Sequence, residues 1–304
     1  MGEKAPDRAR VIEWLLEGDP AIKWQTMRDL VGTKESVWRS EQERVATEGW
    51  GARLLKHQDA DGRWTPRLYG KKWISTTYSM VLLREMGLPR SDSRALKACQ
   101  LFFEEGLGTR RNSETCIQSM VTALLFWFDV EDRLREPVLA HLLGKQLDDG
   151  GWNCDQQSTH GSFHTTVMAL EALRECVVRG GAAIDEIEAA GARGSEFFLQ
   201  HRMFRSHRTS EVVNQRFLRL SFPTRWHYDV LRGLDYFRSA GLLNDRRLHE
   251  AIDVLVDKRD RDGRWPLQQR WRGETWFEME VVGEPSRWNT LRAMRVLEWW
   301  GGEK

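Results

Sequence analysis

Cys116, His164 and His227 each stand at the start of an apolar stretch, and Glu114 lies two residues before the cysteine. A thiolate, imidazoles and a carboxylate are the ligand types that zinc takes in tetrahedral sites, and a catalytic site leaves one position open. Zinc held by Cys116, His164, and His227 or Glu114 would lower the pKa of a bound thiol or water. Cys154 and Asp155 offer a second ligand source in the loop before His164, where Cys154 could take the place of Glu114. The same residues also read without a metal. Glu114 is then a carboxylate favoured at a helix N-terminus, Cys116 a small buried apolar residue, and the histidines hydrogen-bonded wall residues. In a metal-free site Glu114, His227 and Glu278 are the acid/base candidates. For Glu278 and Glu280, pairing with nearby arginines is the plainer role.

Cations flank these positions. Arg110 and Arg111 precede Cys116, Lys71 and Lys72 precede an earlier apolar stretch, and the long connector 201–223 carries Arg202, Arg205, His207 and Arg208. Guanidinium forks suit phosphate or carboxylate. Lys72, Arg110, Arg111, Arg205 and Arg208 are therefore candidates for holding an anionic substrate, and a solvated surface loop is the alternative for the connector. Trp226, Trp288 and Asn289 complete the substrate-binding set. Trp24, Phe163, Trp226 and Trp288 each directly precede an apolar stretch, as a cation-stabilising cavity wall or as wedges between helices.

Such scattered residues converge only if the elements carrying them repeat. Three segments share an Asp-Gly-x-Trp turn, ending at Trp64, Trp152 and Trp265. Glycine there supplies a left-handed backbone that closes a helix, and tryptophan packs back on the hairpin. Apolar helical stretches recur from Gln25, Ser75, Cys116, His164, His227 and Asn289, at intervals of about 40 to 60 residues. Amphipathic segments of helical period lie between them, near 37–57, 92–105, 132–146, 184–200 and 244–258, with 8–17 before the first. The pattern predicts an all-α fold: an α/α toroid of six inner and six outer helices, one domain over 1–304, with the inner helices starting at one shared mouth.

Bulk composition narrows the function classes. With 46 basic against 45 acidic residues the formal charge is +1, so no global field recruits nucleic acid. The N-terminus lacks the apolar core of a signal peptide, no stretch reaches membrane-span length, and four cysteines are too few for a disulfide framework. These features predict a cytoplasmic protein.

The Asp-Gly-x-Trp turns and paired-helix periodicity resemble the terpenoid cyclase and protein prenyltransferase superfamily over nearly the whole chain. QDADGRW and QLDDGGW look like shortened Gln-Trp repeats of the squalene-cyclase branch. That branch protonates its substrate with Asp-x-Asp-Asp, and the nearest stretches here, from Asp59 and from Asp260, lack the final aspartate and sit in the repeat turns. Glu114-Thr115-Cys116 and the run from Gly150-Gly151-Trp152 to Phe163-His164 are similar to the zinc motifs of the prenyltransferase β-subunits, with Glu for Asp and Ile117 where that family has Tyr. The resemblance implies an enzyme binding an isoprenoid diphosphate, with zinc at the mouth and Arg110, Arg111 and Lys72 on the diphosphate. A metal-free cyclase or lyase and a non-catalytic binding ring are the rival readings.

Overall fold

The three Asp-Gly-x-Trp turns act as clasps between successive helices. In the computed structural model, which describes residues 7–70, 72–109, 114–180, 183–242 and 244–302, Gly62, Gly150 and Gly263 have φ of 99°, 83° and 83°. Only glycine takes this backbone without steric cost. Two residues on, each tryptophan donates its indole N–H to the carbonyl ten residues back: Trp64 to Leu54 at 2.9 Å, Trp152 to Leu142 at 3.0 Å and Trp265 to Leu255 at 2.8 Å. Its backbone N–H donates to a threonine hydroxyl on the helix that follows, Thr76, Thr166 or Thr290. One buried residue thus joins an outer helix, the turn and the next inner helix.

The inner helices are α2 (Pro20–Thr26), α5 (Thr76–Met86), α7 (Thr115–Trp127), α9 (Phe163–Arg179), α11 (Val230–Ser239) and α13 (Arg287–Gly301). The outer positions hold α1 (Arg8–Leu16), α3 (Glu35–Glu43) with α4 (Gly49–Leu55), α6 (Ser93–Glu104), α8 (Asp132–Leu143), α10 (Ile184–Gln200) and α12 (His249–Asp257). Around the ring α5 packs on α7, α7 on α9, α9 on α11, α11 on α13 and α13 on α2. The circle closes where Trp24 and Gln25 of α2 donate to the carbonyls of Met86 and Glu85 at the end of α5, at 2.8 and 3.2 Å. The inner helices are apolar nearly all round because each is covered on its flanks and back; all but one of the residues of α7 are buried. A short antiparallel pair, β1 (Trp265–Pro266) with β2 (Pro285–Ser286), brackets the 267–284 loop. No helix among the described residues is long and apolar enough to cross a membrane.

Two features depart from the sequence reading. The segment 37–57 is broken between α3 and α4, because Gly49 turns at φ +62° beneath Asp19, whose Oδ2 accepts the Trp50 N–H at 2.7 Å. A Cβ at Gly49 would fall 2.1 Å from that oxygen. His227 does not share the register of Cys116 and His164. Those two are the second residues of α7 and α9, whereas His227 lies ahead of α11, which Asp229 caps by accepting the Arg232 N–H at 2.9 Å while also holding Ser221.

Candidate functional site: a thiol mouth and an arginine chamber

The start of α7 and the loop before α9 bring Glu114, Cys116 and Cys154 together, with their ligating atoms all within 4.8 Å of one another. Glu114 is the N-cap residue of α7, and its Oε2 lies 3.4 Å from the Cys116 sulfur. Cys154 Sγ accepts the Cys116 N–H at 3.1 Å and the Thr165 hydroxyl at 3.3 Å. A helix start leaves backbone N–H groups without intrahelical partners, and here a sulfur takes one of them. These donors favour its anion. The Cys116 thiol, against burial and with help from Thr165 and the Cys116 amide, holds Cys154 below the ordinary thiol range. Cys116 is pushed up, first by pairing with Cys154 and then by burial. Both cysteines are free thiols.

Aromatic rings form the rim. Tyr69 and Tyr78 meet through their hydroxyls at 3.3 Å, and Trp73 packs edge-on against Tyr78. Burial pushes Tyr69 up to about 12, and the neighbouring Cys116, Glu114 and Cys154 add to the shift. His227 is sandwiched between Trp226 and Trp271, with ring centroids 3.7 and 3.4 Å away. The Lys72 ammonium sits 5.5 Å from the Trp226 ring and 5.7 Å from that of Trp73.

Neither histidine joins the sulfur cluster, which corrects the expected Cys116–His164–His227 ligand set. His164 Nδ1 accepts the Tyr228 N–H at 2.8 Å, and its ring lies 5.6 Å from that of His227. Burial, reinforced by Arg232, lowers His164 to about 4. Burial, then the neighbouring His164 and Arg232, lowers His227 to about 3. Both are neutral imidazoles. Cys154, the alternative to Glu114 in sequence, instead accompanies it.

The other candidates separate. Glu278 is exposed, 2.6 Å from Arg270. Glu280 accepts from Ser286, Arg287 and Trp288, closing the N-terminus of α13. Asn289 is fully buried and donates to the Pro266 carbonyl at 3.0 Å, so it fixes the β1 turn. Trp288 is buried and stacks on Phe222 at 4.0 Å. Arg205 does not fold over the mouth: it forks onto Glu250 of α12 on the outer face. Arg208 lines a cleft of about 340 Å³ with His164, His201 and Phe217. Lys71, Arg110 and Arg111 lie outside the described residues. Arg225, which the sequence did not mark, is 7% exposed. Its guanidinium faces the Trp73 ring at 5.5 Å and makes no hydrogen bond or ion pair with a described residue. It lines a small void with Phe222, Trp271 and Glu278, and burial lowers it to about 10.

The second region was also missed. In the centre of the ring, towards the C-terminal ends of the inner helices, a chamber of about 180 Å³ is lined from all six of them, by seven arginines and four carboxylic acids. Arg232 forks onto Glu171 at 2.8 and 2.7 Å. Asp235 accepts from Arg238 at 3.0 Å and Arg295 at 2.8 Å. Burial alone would raise Asp235, but Arg295, Arg238 and Arg292 hold it well below the usual carboxylate range. Glu85 also faces the chamber, raised by burial. Phe222 and Trp288 form the chamber wall nearest the mouth.

No protein family matches the sequence, and no curated protein sequence does. Among solved structures the chain is similar to the type II terpene cyclase MstE from Scytonema. The apo enzyme is 15% identical with a TM-score of 0.46, over 92% of this chain and 87% of that one. A variant in complex with the product merosterolic acid A is 14% identical, TM-score 0.47, over 93% and 87%. Another, in complex with the substrate geranylgeranyl dihydroxybenzoate, is 14% identical, TM-score 0.46, over 92% and 86%.

Proposed function

We propose that the chain is an enzyme working at the N-terminal mouth of its ring on an anionic small molecule with an isoprenoid part, and that Glu114, Cys116 and Cys154 hold one zinc ion there. The observation carrying this reading is the convergence of two sulfurs and a carboxylate within 4.8 Å. Three such ligands suit tetrahedral zinc with its fourth position open. When bound, zinc supplies Lewis acidity to a thiol, water or substrate oxygen. The chain's own groups do the rest. Thr165 and the start of α7 orient the Cys154 sulfur and favour its anion. Trp73, Trp226 and Trp271 offer ring faces to a hydrocarbon and to positive charge developing on it. Lys72, beside two of those rings, and Arg225, buried and without an ion pair to a described residue, draw in the anionic group, a diphosphate. His227, neutral between two indoles, supports the wall rather than the charge.

The test is zinc content by plasma mass spectrometry on protein purified without a metal column. About one zinc per chain is expected, lost in both Cys116→Ser and Cys154→Ser, as follows when ligand removal abolishes a structured site. Metal-free wild-type protein that takes up no added zinc refutes the proposal. So does zinc retained in both variants.

A further inference from the structure

The chamber at the opposite end of the ring carries more cations than its own acids neutralise. Seven arginines face four carboxylic acids in its lining, and a fifth carboxylate behind it, Asp29, pairs with Arg28 and Arg295. Glu171 is occupied by the Arg232 fork and Asp235 by Arg238 and Arg295. Two guanidiniums are then left with long contacts. Arg84 reaches Glu175 only at 3.5 Å and Glu171 at 4.0 Å, and its buried Nε has no acceptor among the described residues. Arg292 lies 3.6 Å from Asp235 and 3.3 Å from the Ser221 carbonyl.

The carbonyl ends of the inner helices favour cations and account for Arg84 and Arg238, each in a last turn. They do not account for Arg292, which lies six residues into the fifteen-residue α13 and is 5% exposed. Under-paired cations inside a low-dielectric ring repel one another, and an anion drawn between them relieves that repulsion. The size of the space limits the anion. A chamber of about 180 Å³ has room for about six waters, well short of the roughly 300 Å³ at which pockets for drug-sized ligands begin. Forked guanidiniums match the oxygens of phosphate groups.

We infer that this chamber binds a compact multivalent oxyanion of the phosphate type, from phosphate to diphosphate in size, at a site separate from the thiol mouth. The anion enters at the C-terminal end, where the side chains of Arg28 and Arg174 are 38% and 30% exposed. Arg84 and Arg292 take it at the centre, and the Phe222–Trp288 stack lies between it and the mouth loop.

Calorimetric titration of the full chain with inorganic phosphate, diphosphate and citrate, at constant ionic strength, tests the assignment. Diphosphate should bind, and Arg84→Gln and Arg292→Gln should each weaken it at least about tenfold, the loss expected when a charged hydrogen-bond donor is removed. The part of the binding that Arg84→Gln and Arg292→Gln remove is assigned to the chamber, and it should persist in wild-type protein stripped of metal by a chelator, so failure of the zinc proposal leaves this one standing. If Arg292→Gln does not fold, Arg84→Lys, which keeps the charge but loses the fork, should still weaken binding. Absence of binding to the wild type overturns the inference, as does undiminished binding by the arginine variants or loss of the arginine-dependent part on removal of metal. Citrate binding as tightly as diphosphate would overturn the phosphate-type assignment.

Discussion

At the N-terminal ends of the inner helices the charged partners are anions or sulfur: Glu114 and Cys154 at the start of α7, Asp229 ahead of α11, and Glu280 of the 267–284 loop against the start of α13. At the C-terminal ends they are cations, Arg84 and Arg238 among them. The polarity follows from the backbone, which exposes N–H groups at one end of every helix and carbonyls at the other. A ring of parallel inner helices adds these ends together. The surroundings then diverge. At the mouth two neutral histidines stand among aromatic rings and the charged groups are few, Glu114, Lys72 and Arg225 among them, whereas the chamber concentrates charge in arginine–carboxylate networks. One fold therefore offers a soft, thiol-bearing site and a hard, anion-seeking site on the same helices.

The largest expected contrast comes from removing one carboxylate from each region. Asp235→Asn leaves Arg238, Arg292 and Arg295 without their shared anion and should cost about 3–5 kcal/mol in urea unfolding, as breaking a buried pair does. Glu278→Gln, at an exposed pair near the mouth, should cost no more than about 0.5 kcal/mol. Equal costs would break the distinction.

Acid unfolding separates the same regions by pH. Asp235 and Glu171 are held below their ordinary values in the folded chain. The unfolded chain therefore takes up their protons first, so their stabilisation is complete above about pH 4 and is lost as pH falls further. His164 and His227 are lowered to about 4 and about 3. Their contribution is complete above about 6.5 and declines as pH falls from there towards those values. Unfolding free energy measured from pH 7.5 to 3 should show the histidine decline first. Asp235→Asn should reduce only the decline below pH 4.

Much of this was legible in sequence, for particular reasons. The three Asp-Gly-x-Trp turns were legible as equivalent because each tryptophan makes the same bond to a carbonyl ten residues back. Glu114, Cys116 and Cys154 were all marked, since helix starts and thiols carry local signatures. His227 was misplaced because the long 201–229 connection lets Asp229 set the helix start. The chamber went unseen for a different reason: its pairs span the ring, with Arg232 61 residues from Glu171 and Arg295 60 from Asp235. A lone arginine on an apolar helix carries no local sign of such a partner.

A smaller effect bears on the sulfur itself. Thr165→Val removes the hydroxyl that donates to Cys154 at 3.3 Å while keeping the side chain's shape. If that bond orients the sulfur, zinc affinity measured against a competing chelator should fall about tenfold, the lower end for a group that orients a metal ligand. Unchanged affinity would mean that the α7 amide alone fixes Cys154.

The smallest expected change is none at all, and it tests how far the aromatic wall around His164 and His227 excludes charge. Free histidine side chains gain a proton near pH 6.5. His227 is buried between Trp226 and Trp271, with Lys72 and Arg232 among the cations disfavouring its charged form, and His164 spends its Nδ1 lone pair on the Tyr228 N–H. Their imidazole resonances, assigned by single His→Gln variants, should therefore stay flat between pH 8 and 5. Titration of His227 near 6.5 would mean that water or a carboxylate reaches the ring, and the mouth would then be a place where a proton can be exchanged with a substrate. A flat response keeps His164 and His227 as neutral wall residues and leaves Glu114, Cys116 and Cys154 as the groups at the mouth able to meet a cation.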